Sequence, residues 1–333
     1  MSPINKSIIS ENSDFLFIYD ATLCNPNGDP DQENKPRMDY DTDTNLVTDT
    51  RIKRSIRDYL KASGNEIFVD MEGDIKVSPD SKLEAVINRL LVNEKEMGIF
   101  FGDHEDMKKS FIEITKEKSA ANTVYKLLQN KKNKNIKLNN YILEQIVKEK
   151  FIDIRMFGSA FAVEGFTKAY TGAIQLNWGY SLHKVDLLDS NTIVTTMNDG
   201  NSTFGKDYRV HYSMLAFNGT INKHVAKTTG LSVDDRDLFR KMIWESISAM
   251  PTRSKLNQYP KLYVEIIYND GFTNGCLGDL RNYLETTPVD HVRTISDVKI
   301  NLSKLKTAIE SNTGEGKPIK EVFFKNSIDD TQF

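Results

Sequence analysis

The stretch from Asp14 to Lys61 constrains this chain most. It reads as an apolar strand (FLFIYDATL), a polar loop (CNPNGDPDQENKPRMDYDTDTN) and a basic helix (LVTDTRIKRSIRDYLK). A strand that is apolar on both faces belongs inside a sheet. In the loop, Asn25–Pro26–Asn27–Gly28–Asp29–Pro30 is strongly turn-forming, because Pro sets φ and Gly permits positive φ. The helix starts at Thr48 or Asp49, either of which can cap it. Ile52, Ile56, Tyr59 and Leu60 give it one apolar face, and Gly64 ends it. The loop holds six acids from Asp29 to Asp43 against Lys35 and Arg37. The helix holds Arg51, Lys53, Arg54, Arg57 and Lys61 against only Asp49 and Asp58. Cations crowd its first two turns, where the helix dipole favours anions. Either the acidic loop offsets that cost or something outside the chain does, and a phosphate backbone is the candidate.

The net charge of −3 argues against a binder of nucleic acid over the whole surface, but a local basic groove needs only a patch. At 333 residues the chain can bury one large core or two smaller ones. No run of eighteen apolar residues and no signal-peptide core are present, so no membrane partner is expected. Cys24 and Cys276 make neither a disulfide framework nor a CxxC pair, and the expected compartment is the cytoplasm.

Residues 63–165 change character. Segments such as SKLEAVINRLLV and LNNYILEQIVKEK read as helices, with a lysine-rich stretch from Lys126 to Lys137 read as a solvated face. Strand patterning returns at Tyr170–Trp178, where Ile174, Leu176 and Trp178 alternate with Gln175 and Asn177. Thr192–Met197 and Tyr208–Phe217 flank a Gly-containing polar tip and suggest a projecting β-hairpin. Ser232–Met250 is the clearest helix, with Ser232 and Asp235 approximating a capping box and Pro251 stopping it. Lys261–Tyr268 is a strand, and an amphipathic helix near Leu302–Ile309 precedes a polar tail. Setting the insertion aside, the order is βαββαβ. That is an α+β, ferredoxin-like or RRM-like arrangement.

Few chemical motifs compete with phosphate binding. Asp39, Asp41 and Asp43 open like a calcium loop, but Thr44 and Thr50 stand where Gly and Glu are required. The five histidines form no HxH or HxxxH pair, and P-loop, GxGxxG and GxSxG motifs are missing. Asp153–Gly158 places Arg155 and Phe157 beside a glycine, a set that can clamp a phosphate and stack a base. Lys206 and Arg209 beside the hairpin tip repeat the theme.

NPNGDP, NLVTDTRIKRSIRDYL, DIRMFG and TGAIQLNWGYSLHKV, in that order between Phe15 and Ile267, resemble the Cas-seven family of CRISPR effector complexes. The closest branch is the type I-B one, often named Csh-two. The resemblance implies a right hand. An RRM-like palm spans 14–62 and 166–300 and carries a thumb hairpin at about 192–215. A mainly helical fingers insertion spans 63–165, and a C-terminal helix and tail span 301–333. It also implies a non-catalytic subunit, without cofactor or metal, stacked head-to-tail along CRISPR RNA. Its partners would be that RNA, the target DNA strand paired to the guide, and the large, small and end-capping Cascade subunits. Arg51, Lys53, Arg54 and Arg57 match the family's basic palm helix, and Asn25 and Asn27 match the loop before it. Arg155, Phe157 and Gly158 match the loop after the fingers, while Thr196–Arg209 matches the thumb, with Met197 as a base wedge. Arg37, Thr48, Lys206 and Arg209 complete the expected RNA contacts. Related type III subunits cut RNA with an Asp in the loop after the first strand, where this chain has Asp29 and Asp31. A metal-dependent ribonuclease is therefore the alternative, although NPNGDP looks like the non-cutting version.

Overall fold

The computed structural model describes residues 7–72, 75–116, 118–119, 122–130, 132, 135–189, 192–194, 204–287 and 289–327. They divide into two compact units. A sheet unit comprises Ser10–Tyr59, Ile174–Asn222 and Arg240–Phe333, and a helical unit comprises Met1–Ile9, Leu60–Ala173 and Lys223–Phe239.

The sheet unit is built on β1 (Ser13–Cys24), β2 (Thr44–Val47), β3 (Ile174–Leu176), β4 (Gly179–Ser181), β5 (Val210–Ile221), β6 (Gln258–Tyr268) and β7 (Ile319–Asn326). Their spatial order is β7-β6-β1-β5-β4-β2, with Met38–Asp39 beyond β2 and β3 also paired to β5. Every one of these pairings is antiparallel. The both-face apolar pattern of β1 is explained by its place between β5 and β6. On one face the Phe15 ring stacks on Tyr263 and the Tyr19 ring on Phe217. On the other, Leu16 and Ile18 join Met214, Leu262 and Val264 in a fully buried core. Each such side chain contributes roughly 1.5–3 kcal/mol of burial energy.

α1 (Asp49–Ala62) follows the loop after β1, and Gly64 ends it at φ +85°. The helical unit holds α2 (Pro79–Leu90), α3 (Glu94–Phe101), α4 (Glu105–Ile114), α5 (Val124–Gln129), α6 (Ile136–Glu149), α7 (Ile152–Phe157) and α8 (Lys223–Thr229). It also takes the first turns of α9 (Val233–Ala249) and a hairpin of Gly158–Val163 with Phe166–Thr171. Leu138, Ile142, Leu143, Ile146 and Val147 of α6 line its core, the expected helical spacing. The capping box read from sequence is present: Asp235 N–H donates to Ser232 Oγ and Ser232 N–H to Asp235 Oδ2, both at 3.1 Å. α10 (Ser303–Ser311) lies in the tail. No helix among the described residues is long and apolar enough to cross a membrane.

Three sequence expectations change. Tyr170–Trp178 is not one strand. It breaks at Gly172, which packs so closely on the Phe157 backbone that a Cβ there would meet Phe157 carbon at 2.1 Å. Trp178 lies beyond β3 and is 44% exposed, so it is not core. Val210–Ile221 is not the return arm of a hairpin but a central strand. Thr192–Val194 pairs instead with Phe204–Lys206. The tail expected to be polar carries β7 at the sheet edge, where mixed polarity is normal because one long side stays open.

Candidate nucleic-acid interface

Where β1 ends, the loop doubles back and α1 begins, and the local chemistry fixes that junction tightly. Asn27 Oδ1 accepts from both Thr48 N–H and Thr48 Oγ, each at 2.9 Å. Thr48 Oγ in turn accepts from Arg51 N–H at 3.2 Å, so Thr48 rather than Asp49 caps α1. Asn25 is buried, donates through Nδ2 to Asn34 O at 2.8 Å, and keeps an Oδ1 with no hydrogen-bond partner among the described residues.

The five helix cations do not share one role. Lys53 pairs with Asp49 at 2.9 Å and reaches Gln175. Arg54 Nε donates to Asp58 at 2.8 Å. These are i,i+4 pairs, so acids of the same helix offset these two charges rather than the acidic loop. Arg57 is buried, and Lys61 pairs with Asp70 at 2.6 Å. Arg51 is different: no carboxylate lies within ion-pair distance of it among the described residues. Burial lowers its pKa first, with a further push from Arg54, while Tyr19 and the more distant Asp58 pull the other way.

A second cation joins Arg51 from far along the chain. Residues 254–257 run beside the end of β1, with Thr22 N–H bonded to Asn257 O at 3.0 Å and Asn25 N–H to Ser254 O at 2.9 Å. This brings in Lys255, whose Nζ donates to the Asn25 carbonyl. Burial and then the Arg51 charge push its pKa down from 10.5 to about 8. The buried Cys24 thiol beside them is pushed up to about 12 by burial, although Lys255 and Arg209 pull the other way.

The hairpin base meets the same loop. Lys206 and Tyr208 both donate to Glu33, at 2.9 and 2.8 Å. Arg209 donates to Leu23 O at 2.8 Å and pairs with Asp207, which Arg253 also contacts. Arg37 contacts Asp29 at 3.4 Å, lies 5.8 Å from the centre of the exposed Trp178 ring, and keeps a buried Nε without a hydrogen-bond partner among the described residues. Asn25, Asn27, Arg37, Thr48, Arg51, Lys206 and Arg209 thus gather around one loop. Asp29 belongs to that loop's own framework, accepting from Asp31 N–H at 3.2 Å, and Asp31 is exposed.

Arg155, Phe157 and Gly158 lie in the helical unit. Arg155 is 2% exposed, and its guanidinium grips Asp235 through Nε at 2.7 Å and Nη2 at 2.8 Å. Its Nη1 donates to Lys148 O at 3.1 Å. Phe157 is buried edge-on against Phe239. Gly158 has φ +75° and a Cβ there would meet Tyr170 O at 2.3 Å, so the glycine lets two strands approach. In this arrangement Arg155 is an internal clamp, with its donors spent inside the unit. Met197 lies outside the described residues.

Residues 11–303 match the family model of CRISPR-associated protein Cas7. The chain belongs to the Cas7 family. A curated Cas7 from Haloferax volcanii is 27% identical over 323 residues, covering 90% of this chain and 82% of that protein. A chain of a solved CRISPR RNA-guided surveillance complex, pre-nicking, aligns with a TM-score of 0.53 at 13% identity. That alignment covers 96% of this chain and 94% of the other. The shared fold is a mixed α+β one around a central antiparallel sheet.

Two residues of this Cas7-family chain escaped the sequence reading. Lys255 sits in PTRSKLNQY, between a helix stop and a strand, and its only signal was a basic pair in a turn. Trp178 looked like a core position by alternation, because nothing in the local pattern marks where β3 stops.

Proposed function

We propose that this chain is a non-catalytic, RNA-binding backbone subunit of a type I CRISPR effector (Cascade) complex, in the type I-B, Csh-two-like branch. It would oligomerise head-to-tail along CRISPR RNA and present the guide to target DNA in the cytoplasm, together with large, small and end-capping subunits. The observation that carries this reading is that Arg51 and Lys255 come near one another beside the end of the central strand, two half-buried cations with no carboxylate within ion-pair distance of either among the described residues. Phosphate is the group that such a place accepts at least cost.

Other features support the finer reading. Taking β1, β3 with β4, β5 and β6 as strands one to four, their spatial order is four-one-three-two. That is the ferredoxin-like order, and it favours an RRM-like palm. The helical segment 63–165 is the natural fingers, and the short hairpin near Phe204–Lys206 the thumb, with Met197 as its wedge. Trp178 beside Arg37 offers an exposed ring on which a base can stack.

The test is binding of single-stranded RNA across a salt series. Arg51→Ala should weaken binding alike for all sequences and lower the salt slope by about 0.7, the value for one lost phosphate contact on a single strand. Lys53→Gln and Arg54→Gln should do less, since those charges are offset within α1. Unchanged affinity and slope in Arg51→Ala would sink the assignment.

A further inference from the structure

Glu33 lies in the turn of a small hairpin in the loop after β1, where Gly28–Asp29 pairs with Lys35–Pro36. Asn34 N–H donates to Asp29 O at 2.8 Å and Asn25 Nδ2 to Asn34 O at 2.8 Å, so the turn is held from inside. Glu33 and Asn34 both take left-handed backbone, at φ +51° and +59°. Residues other than glycine adopt that region at a cost. From there the Glu33 carboxylate reaches the base of the Phe204–Lys206 arm. One of its oxygens accepts from Lys206 Nζ at 2.9 Å and from Tyr208 OH at 2.8 Å. Lys35 Nζ lies 5.1 Å from the centre of the Tyr208 ring, so a second cation faces the same place. The bonds from Lys206 and then Tyr208 hold the Glu33 carboxyl below the usual carboxylate range, and it is ionised at neutral pH.

Stability does not account for this contact. The Glu33 and Lys206 side chains are 60% and 55% exposed, and ion pairs so open to water contribute little. The neighbouring acid differs: Asp207, 12% exposed, is shared by Arg209 and Arg253 and is a fixed part of the arm. What the Glu33 contact does is fill an anion-accepting place beside the loop. Two donors that converge on one oxygen, one of them charged, suit a phosphate oxygen as well as a carboxylate. Resting on the RNA-binding reading above, we propose that Glu33 is a built-in competitor of RNA: in the free protein its carboxylate occupies the place that one phosphate of the bound strand takes. A phosphate oxygen then accepts from Lys206 and Tyr208, Lys35 adds its charge, and Glu33 turns to water. A strand already held at Arg51 presents its other phosphates at high effective concentration, so it displaces the carboxylate readily. A single anion with no strand behind it meets the tethered carboxylate without that advantage. Glu33 thereby favours a polymer over free phosphate or mononucleotides.

The experiment is binding of an oligoadenylate to the whole protein at low salt, read by fluorescence anisotropy. Glu33→Gln keeps the size of the side chain and removes its charge. It should bind about two- to fivefold tighter than wild type, the range that one exposed ion pair supplies. Asp41→Asn removes the same charge from an exposed place in the same loop and should shift affinity far less, since it frees no donor. Lys206→Gln should bind more weakly than wild type, and adding Glu33→Gln to it should bring no further gain. A Glu33→Gln affinity equal to that of wild type, or a gain that Asp41→Asn matches, overturns the competitor and leaves the RNA-binding reading standing. A gain that survives in full without Lys206 overturns it too, by placing the effect elsewhere. Failure of the wild-type protein to bind the oligonucleotide overturns both.

Discussion

Arg155 offers the sharpest separation of architecture from ligand binding, and Arg155→Met is the variant that probes it. Four of its hydrogen bonds stay inside the helical unit: two to Asp235, one to Lys148 O and a longer one of 3.5 Å to Val147 O. Removing the guanidinium takes two charge-assisted donors from Asp235, itself only 4% exposed, while the bond from Ser232 N–H stays. It also strips a donor from two carbonyls in the last turn of α6, where no intrahelical partner exists. Loss of one partner of a buried ion pair costs about 3–5 kcal/mol, chiefly because the other charge stays buried. Urea unfolding should therefore show a loss of that size. A second change, Asp235→Asn, made on top of Arg155→Met should recover part of it, because the stranded charge is then gone. RNA affinity of the folded Arg155→Met protein should stay within about twofold of wild type, well under the tenfold that 1.4 kcal/mol represents. A destabilisation below about 1 kcal/mol with a large loss of RNA binding would refute the clamp and return Arg155 to the RNA surface.

Two further outcomes follow from the geometry. Gly158→Ala adds a left-handed alanine and a Cβ that meets Tyr170 O at 2.3 Å, so it should cost more than about 2 kcal/mol by thermal or urea unfolding; Gly64→Ala, at φ +85° with open space around it, should cost only about 1 kcal/mol. Asp29→Asn should leave single-stranded RNA uncut in magnesium, as for wild type, and should shift stability by less than about 1 kcal/mol, because its pair with Arg37 is partly solvated. Regular magnesium-dependent cutting that this change abolishes would instead establish the ribonuclease alternative.

Much of the fold was legible because its signals are local. β1 announced itself by an unbroken apolar run, α1 by a period of 3.6 and its cap, and α9 by Ser232 and Asp235 three apart. The misread elements share a cause. Tyr170–Trp178 alternates like one strand, yet Gly172 is pinned against Phe157 and the pattern continues across the break. Val210–Ile221 looked like half of a hairpin because its neighbours in the sheet, β1 above all, are distant in sequence. β7 was missed because an edge strand needs no apolar face on its open side.

For the candidate site, the sequence by itself determined the family blocks, a cap at Thr48 or Asp49 and the crowding of cations on the first helix. It could even have shown that Lys53 and Arg54 have acids four residues away, since i,i+4 pairing is a property of the helix alone. Only the tertiary structure decided which charges were left over. It committed Arg155 to Asp235, eighty residues on, and it brought Lys255 close enough to Arg51 for the two charges to repel. The reason is physical. Whether a cation is offset depends on distances of a few ångströms and on loss of water around it, and both are set by strands that meet only after the chain has folded.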